Sequence, residues 1–420
     1  MKRPFFILAL AVLLAGGLAL PAAAHGTTGS LPVLVDGLPV AFDVPPVILN
    51  DRMLVPFRAI AEALNIQVAW DGATRTVSAT DGTTSVRLQI GNRIAYRNEN
   101  PIVLDVPPQI VNGRTLIPLR FFGEAFNCGV EWDETLKGAV IFSPPREMAV
   151  IGFYALGDDR TSSWTDLFGT RYPEAAAGNT DVVGELALGW YSLDAEGNLL
   201  TRSRTGWQRP PGWEKVLEAA AAHNLKTEMV VHVTDGDSTI SSLLASEAAM
   251  ARAVGGIMRE AALYQGVNLD FEGLGYRDSG ERLAAVRESF TRFVRLLSGE
   301  AKAANLHLTL TLHAPNSAYR GYDYKALGEL ADRIIVMAYD YGSRPEPVNL
   351  VTQAVALARE AVPPEKLILG ISLAGETPVS IRTKIGIAKR YGLGGIALWR
   401  LGLAGDTMWN ALRSAVLPRR

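Results

Sequence analysis

The chain has 420 residues, 48% of them hydrophobic, which is enough for two or three domains with large cores. Its net charge of −2 is spread along the sequence, which excludes the basic footprint of a nucleic-acid partner. Cys128 is the only cysteine, so an intrachain disulfide and a cysteine-based metal site are excluded as well.

The first residues have the pattern of a secretory signal. Lys2 and Arg3 precede an apolar run from Phe5 to Leu20, and three alanines follow at 22–24. This order predicts a signal peptide over residues 1–24, cleaved at its end, and hence a secreted or envelope-associated protein. An uncleaved membrane anchor is the alternative, because the run is near the lower length limit for a span.

An internal repeat follows at an offset of 62 residues. The stretch from Asp43 to Asp71 reads DVPPVILNDRMLVPFRAIAEALNIQVAWD, and the stretch from Asp105 to Asp133 reads DVPPQIVNGRTLIPLRFFGEAFNCGVEWD. Each copy predicts an extended entry, a turn, a short helix and a strand ending in Trp-Asp, so that two copies form one small α+β domain. The matched pairs include Arg52 and Arg114, Arg58 and Arg120, Glu62 and Glu124, and Trp70 and Trp132.

This repeat resembles the copper amine oxidase N-terminal-like, or stalk, domain of exported bacterial proteins, over residues 32–143. The name implies no copper here, because neither copy contains a histidine. We expect Cys128 to be a small buried hydrophobe. The repeated arginine and glutamate predict a structural ion pair on each short helix, with ligand binding as the alternative. The resemblance is compatible with cell-wall association through this domain.

A proline-rich segment from Ser143 to Met148 predicts a linker, and the pattern then changes to apolar runs alternating with helical stretches. Eight such strands predict an α/β fold, a TIM (β/α)8 barrel over residues 149–418. A doubly wound sheet is the alternative, but the segment Ala155–Asp158 is not the glycine-rich turn that such a sheet carries after its first strand. The predicted strands are Ala149–Leu156, Leu186–Leu193, Thr227–Val233, Val267–Gly273, Leu308–His313, Arg333–Asp340, Leu367–Leu373 and Ile396–Gly402.

The fourth of these strands carries two carboxylates within an apolar run, GVNLDFEGL. Side chains alternate between the two faces of a strand, so Asn268, Asp270 and Glu272 share one face. The apolar Val267, Leu269 and Phe271 share the other, which we expect to face the helices. In a TIM barrel the polar set would point inward, with Glu272 nearest the catalytic end. Inward carboxylates raise a pKa, which suits a general acid; a polar layer satisfied by internal hydrogen bonds is the alternative.

The stretch GVNLDFE resembles the strand-4 signature of family 18 glycoside hydrolases, commonly written D-G-x-D-x-D-x-E. Three further stretches fit in order: GFYAL from Gly152, VMAYDYG over Val336–Gly342, and YGLGGIALWRLG over Tyr391–Gly402. Together they cover residues 149–418 and look most like the spore-cortex and cell-wall N-acetylglucosaminidase branch.

The resemblance implies a substrate-assisted retaining hydrolase without metal or cofactor, in which the substrate's acetamido oxygen is the nucleophile. Glu272 would act as acid and then base, Asp270 would hold the acetamide N–H, and Tyr339 would donate to the acetamide oxygen. Trp399 and Tyr154 could instead belong to the barrel core. The implied substrate-binding residues are Asn268, Asp340, Trp399 and Tyr154.

Two departures from the family pattern stand out. Gln265 and Asn268 replace the first two aspartates of the signature. We expect Asn268 to hydrogen-bond Asp270, and Glu272 to be the carboxyl whose pKa is raised. The segment Ala374–Gly394 leaves room for one helix only, so the insertion that walls the cleft in many chitinases is absent and the cleft should be shallow and open.

Three weaker candidates complete the set. His232 and His313 are lone histidines in apolar strands, expected to be satisfied interior groups, although His313 ends its strand and can face the cleft. The loop from Thr234 to Ser238 lacks the further ligands of a calcium loop, so an ordinary polar loop is expected.

These features predict an exported enzyme that cleaves β-1,4 bonds beside N-acetylglucosamine, in peptidoglycan or spore cortex first and chitin oligomers second. The alternatives are a glycan-binding pseudoenzyme and a structural envelope protein. The presence of Glu272, Asp270 and Tyr339 together favours the enzyme.

Overall fold

A computed structural model describes residues 31–156, 160–203 and 205–420. The predicted signal peptide, residues 1–24, lies outside the described residues. Within the described ranges, no helix has both the length and the apolar character needed to cross a membrane.

The two repeats build one α+β unit from three sheets and two short helices. Two strands, Arg52–Pro56 from the first copy and Arg114–Pro118 from the second, pair antiparallel in the middle of a four-stranded sheet, so the copies interlock. Phe57 and Phe122, on the two helices, pack edge to face with ring centroids 5.5 Å apart. Cys128 is buried in the same core, as predicted. The elements are β1 (Val33–Val35), β2 (Leu38–Pro39), β3 (Val47–Leu49), β4 (Arg52–Pro56), α1 (Phe57–Ala63), β5 (Gln67–Asp71), β6 (Thr76–Thr80), β7 (Ser85–Gln89), β8 (Ile94–Arg97), β9 (Asn100–Val103), β10 (Gln109–Val111), β11 (Arg114–Pro118), α2 (Leu119–Ala125), β12 (Gly129–Asp133) and β13 (Gly138–Phe142).

The rest of the chain forms a closed parallel barrel surrounded by helices. The first barrel strand pairs in parallel with both the second and the last, which closes the ring and excludes the doubly wound alternative. All eight predicted strands are present, with ends that move by a few residues. The barrel strands are β14 (Arg146–Tyr154), β15 (Glu185–Leu193), β17 (Lys226–Thr234), β18 (Gly266–Glu272), β19 (His307–His313), β20 (Arg333–Met337), β21 (Leu367–Ser372) and β22 (Gly395–Trp399).

The helices cover the outside of the barrel. The predicted alternation of strand β18 is confirmed: Val267, Leu269 and Phe271 lie in the outer core, and Phe271 stacks on Phe293 at 5.5 Å between ring centroids. Between β21 and β22 there is one α-helix, Pro378–Arg390, as expected. The remaining elements are α3 (Ser163–Phe168), β16 (Leu199–Leu200), α4 (Glu214–Ala222), α5 (Thr239–Leu244), α6 (Glu247–Ala261), α7 (Gly280–Ala303), α8 (Tyr324–Leu330), α9 (Val348–Ala361), α10 (Pro378–Arg390), α11 (Gly405–Arg413) and β23 (Val416–Pro418).

A buried ionic layer lies at the amino-terminal end of the barrel. The Arg333 guanidinium is hydrogen-bonded to Glu185 and lies 2.8 Å from a carboxylate oxygen of Glu228. Thr309 donates to Glu228 at 2.6 Å. Both acids are paired and hydrogen-bonded, and they line an open pocket of about 710 Å³ at this end. In a TIM barrel the chemistry takes place at the opposite, carboxyl-terminal end of the strands.

The segment predicted as a linker is structured and joins the two units. Arg146–Met148 already belong to β14, where they pair with β23, because strand pairing satisfies their backbone groups. The buried Lys389 ammonium at the end of α10 donates to the Ser143 hydroxyl at 2.9 Å, and the Lys389 carbonyl accepts from the Asn65 amide at 2.6 Å. The connection between the units is therefore shorter than the predicted linker, because its last three residues belong to the first barrel strand.

Candidate active site

An open cleft of about 680 Å³ lies at the carboxyl ends of the barrel strands. The structure brings five of the predicted site residues to this cleft: Asp270, Glu272, Tyr339, Asp340 and Trp399. His313 lines it as well, stacked on Tyr319 with ring centroids 4.1 Å apart. Neither Asn268 nor Tyr154 reaches it.

Asn268 belongs to the ionic layer below the cleft. Its side-chain amide donates to Glu228 at 3.3 Å, and its carbonyl oxygen accepts from the Thr311 hydroxyl at 2.8 Å. The predicted hydrogen bond to Asp270 is not formed, and Asp270 Oδ1 is left without a partner among the described residues. That expectation was wrong because side chains two apart on a strand lie on successive levels of the barrel.

We predict that Asn268→Asp, which restores the family's residue, destabilises this chain. It replaces a donor facing Glu228 by a third carboxylate in a buried layer, which should cost about 1–3 kcal/mol. The cost should grow as pH rises, because the new carboxylate then ionises. Urea denaturation at neutral pH measures it, with the exposed Asn410→Asp as control. An unchanged midpoint would contradict the assignment of Asn268 to the layer.

Tyr154 lies on the outer face of its strand. It is fully buried and packs edge to face on Trp190, with centroids 6.4 Å apart. Its neighbour Phe153 takes the inner face and packs on Trp399 at 5.2 Å between centroids. The alternation of strand β14 therefore places Tyr154 in the core, and the prediction that it lines the cleft was wrong.

The two carboxyls have opposite pKa shifts. Burial, reinforced by the charge of Glu272, raises the pKa of Asp270 to about 8. Burial also raises the pKa of Glu272, but a hydrogen bond from His232 and the charges of His232 and His313 more than offset it, so that the pKa lies below its usual value. These shifts place the shared carboxyl proton on Asp270 near neutral pH, whereas the sequence led us to expect it on Glu272.

His232 is the residue that reverses the expected order. It lies directly opposite Asp270 in the pairing of β17 with β18. Its Nε2 is 3.5 Å from Glu272 Oε1, and its Nδ1 is 3.4 Å from the Thr205 hydroxyl. Burial lowers the pKa of His232, but the hydrogen bond and the two carboxyls raise it above its usual value. The only sequence signal for His232 was its position on the strand that precedes the carboxylate strand. A lone histidine in an apolar strand does not by itself show that its ring faces the barrel interior.

His232, Asp270 and Glu272 also have ligand atoms within 4.8 Å of one another, close enough to hold a cation. The trio is equally suited to proton transfer, because one imidazole and two carboxyls with divergent pKa values can exchange a proton over these distances. The contact of His232 Nε2 with Glu272 Oε1 at 3.5 Å and the raised pKa of the buried Asp270 favour the second use.

Comparison with known proteins found a matching family model for each of the two parts of the chain. A family model described as Glycosyl hydrolases family 18 matches residues 214–378. The barrel is a family 18 glycosyl hydrolase domain. A second model, described as Copper amine oxidase N-terminal domain, matches residues 34–141.

Individual relatives agree with this assignment. The provisionally assigned sporulation-specific glycosylase YdhD of Bacillus subtilis (strain 168) is 34% identical over 122 residues, 27% of this chain and 27% of YdhD. The chain spans about half or less of the length of the curated relatives it matches. A chitinase from Chromobacterium violaceum has a TM-score of 0.53 at 20% identity, covering 64% of this chain and 98% of its own. The spore cortex-lytic enzyme SleL of Bacillus cereus has a TM-score of 0.52 at 17% identity, covering 67% and 77%. These two likenesses show the fold.

The family 18 barrel has two aromatic rings at the floor of its cleft. Trp207 packs against Trp399 with centroids 5.1 Å apart and ring planes inclined by 35°. Gly189 makes room for it, because a Cβ there would lie 2.5 Å from the Trp207 ring. Trp207 was missed from the sequence since it lies in the segment between β16 and α4, outside any barrel strand.

We predict that Trp207→Ala raises KM about tenfold with a small change in kcat. The indole supplies stacking area for the sugar before and during the reaction, so that its loss weakens ground-state and transition-state binding alike, by about 1–2 kcal/mol. Steady-state kinetics on a chitin oligosaccharide measure it. The matched control is Trp213→Ala, a similarly half-buried tryptophan outside the cleft. An unchanged KM in Trp207→Ala would show that this ring does not contact substrate.

The segment after β20 is held in place by a buried acid. The Glu346 carboxylate accepts from the backbone N–H groups of Asp340 and Tyr341, at 2.9 and 3.1 Å. Lys384 donates to the Glu346 carbonyl at 2.6 Å. Burial raises the pKa of Tyr339 well above its usual value, so that its hydroxyl stays protonated and remains a donor. Glu346 thus positions the loop that carries Tyr339.

Proposed function

We propose that this chain is an exported glycoside hydrolase that cleaves β-1,4 bonds beside N-acetylglucosamine. Peptidoglycan of the cell wall or spore cortex is the first choice of substrate, and chitin oligomers are the second. One observation carries the proposal: Asp270, Glu272 and Tyr339 line one cleft with Trp399, and Asp270 Oδ1 is buried with no partner in the described part of the chain. Buried polar atoms are usually hydrogen-bonded, so we expect this oxygen to accept a hydrogen bond from the substrate, here from the acetamide N–H.

Binding of the substrate sets up the proton transfer. When the acetamide N–H donates to Asp270 it favours the ionised carboxylate, which lowers the pKa of Asp270 and releases its proton. Glu272 is the adjacent acceptor, and His232 can exchange a proton with it. The substrate thereby converts Glu272 into the acid that the reaction needs.

Cleavage follows in two steps. Glu272 gives its proton to the glycosidic oxygen while the acetamide oxygen attacks the anomeric carbon and the leaving sugar departs. The Asp270 carboxylate stabilises the positive charge of the resulting oxazolinium ion, and the Tyr339 hydroxyl orients the acetamide oxygen. Glu272 then removes a proton from water, which attacks the same carbon and opens the ring. Each of the two steps inverts the configuration at the anomeric carbon, so the product has the same anomeric configuration as the substrate.

Supporting observations come from the cleft and from the relatives of the barrel. The indoles of Trp207 and Trp399 offer apolar faces for the C–H faces of a sugar ring. Relatives and neighbours are named as cortex-lytic enzymes and chitinases, which is the basis for the choice of glycan. Export by the signal peptide over 1–24, and wall association through the stalk domain over 32–143, complete the proposal.

Incubation of the mature chain with muropeptides and with chitin oligosaccharides, followed by mass analysis, tests the substrate. Products shortened at bonds beside N-acetylglucosamine are expected, with faster release from muropeptides. Binding without any cleavage of either glycan would support the pseudoenzyme instead.

A further inference from the structure

The internal repeat creates two equivalent grooves on the N-terminal unit. Every residue that lines the first groove has its counterpart, 62 positions away in the sequence, among those that line the second. The grooves have volumes of about 550 and 460 Å³, within the usual range for ligand sites. The first groove is defined by Asp43, Arg58, Glu62, Trp70, Ile110 and Arg114, and the second by Asp105, Arg120, Glu124, Trp132, Ile48 and Arg52.

Each groove is built from both copies. The helix and the Trp-Asp strand of one copy supply one wall, and the β-hairpin of the other copy supplies the opposite wall. Arg52 bridges the copies by an ion pair with Asp105 at 2.7 Å, and Arg114 makes the equivalent pair with Asp43. Because β4 and β11 run antiparallel, the two hairpin turns lie at opposite ends of their sheet, and so do the grooves.

The charged side chains on the helices are not used by the fold. In the described part of the chain, no ion pair joins Arg58 to Glu62 or Arg120 to Glu124, so the predicted structural pairs were wrong. An exposed pair on a helix gains only about 0.2–0.5 kcal/mol, which is too little to fix two flexible side chains. A free guanidinium and a free carboxylate therefore flank each groove.

The aromatic floor of each groove is also exposed. Trp70 and Trp132 keep 46% and 41% of their surface open to solvent, and Ile110 and Ile48 beside them keep 45% and 53%. Large apolar side chains exposed at matched positions of both copies indicate a shared binding role.

We propose that the two grooves are equivalent sites that each hold a sugar unit of an N-acetylated glycan strand. An indole face accepts the C–H face of a pyranose ring. The unpaired guanidinium and carboxylate match the acceptors and donors that one N-acetylated sugar presents together. The choice of this glycan rests on the proposed function. A glycan polymer displays the same sugar unit repeatedly along its length, which suits two equivalent sites on one unit.

Two sites at opposite ends of one sheet make the stalk bivalent towards a polymer. Once one groove has bound a glycan strand, the second groove meets the same glycan strand, or an adjacent one in the cell wall, at high effective concentration. The stalk would then keep the barrel on an insoluble substrate between cleavage events.

The test uses the full mature chain with Glu272→Gln, so that the glycan stays intact, labelled with fluorotryptophan. The ¹⁹F signals of Trp70 and Trp132 are assigned from the alanine variant of each residue. We expect both signals to shift when a chitin tetrasaccharide is added, with midpoints at similar sugar concentrations for the two grooves. On insoluble peptidoglycan, Trp70→Ala or Trp132→Ala should weaken sedimentation about tenfold or more through lost avidity. The double variant should keep only the binding of the cleft. The exposed Leu296→Ala on α7 is the control.

Unshifted signals for both tryptophans, or unchanged sedimentation of the double variant, would overturn the proposal. Signals that respond to chain concentration but not to glycan would overturn it in favour of a protein partner. Turnover by the wild-type chain is read separately: cleavage without groove binding refutes the grooves alone, and groove binding without cleavage refutes the hydrolase alone.

Discussion

Glu272→Gln should lower kcat by about 10³-fold or more while glycan affinity stays within about threefold. The amide keeps the volume and the hydrogen-bonding reach of the carboxyl, so that the cleft floor and the contact with His232 are preserved. It has no proton to give to the leaving oxygen and cannot activate water. The substitution therefore removes both proton transfers and leaves binding in place.

Single-turnover kinetics on a chitin oligosaccharide, with affinity measured by calorimetry, separate the two effects. The exposed Glu281→Gln on α7 is the matched control and should behave as wild type. Comparable turnover in Glu272→Gln and wild type would show that another residue is the acid.

Asp270→Asn should lower kcat/KM by about 10²–10³-fold and yet stabilise the fold at alkaline pH. Catalysis suffers because a neutral amide cannot stabilise the positive oxazolinium. Stability gains because the pKa of Asp270 is raised from 3.8 to about 8 by burial and by the charge of Glu272. The folded chain therefore holds a proton that the unfolded chain releases.

The sign of the pH dependence follows from this difference. Between about pH 4 and pH 8 the unfolded state binds fewer protons, so that the contribution of Asp270 to stability falls as pH rises and then levels off. The asparagine variant escapes this loss. Its gain in Tm over wild type should be near zero below pH 4 and several degrees above pH 8.

Thermal unfolding across this range, with the exposed Asp406→Asn as control, measures the effect. A gain that is the same at every pH, or a loss at high pH, would contradict a buried and protonated Asp270.

Local periodicity was sufficient to predict the barrel strands and the direction of the side chains of β18. Phe271 points to α7 and Asp270 points inward because strands alternate, and this holds wherever the strand lies. The same rule did not give the right direction for Tyr154, because the sequence does not show which face of β14 points into the barrel. The closed ring itself depended on the number of strands and on their helical connections.

Local periodicity could not predict hydrogen bonds and ion pairs between residues that are distant in sequence. Asn268 turns to Glu228 because Arg333 and Thr309 assemble an ionic layer beneath it, from strands widely separated along the chain. The order of the carboxyl pKa values follows from His232, which strand pairing alone brings beside Glu272.

Comparison of an N-acetylated chitin oligosaccharide with its de-N-acetylated counterpart, with the first product followed by ¹H NMR, tests the account most directly. The account predicts cleavage of the acetylated substrate with release of the β-anomer, and no detectable cleavage of the amine, which lacks the attacking oxygen. Release of the α-anomer, or equal cleavage of both substrates, would contradict substrate-assisted catalysis by Asp270 and Glu272.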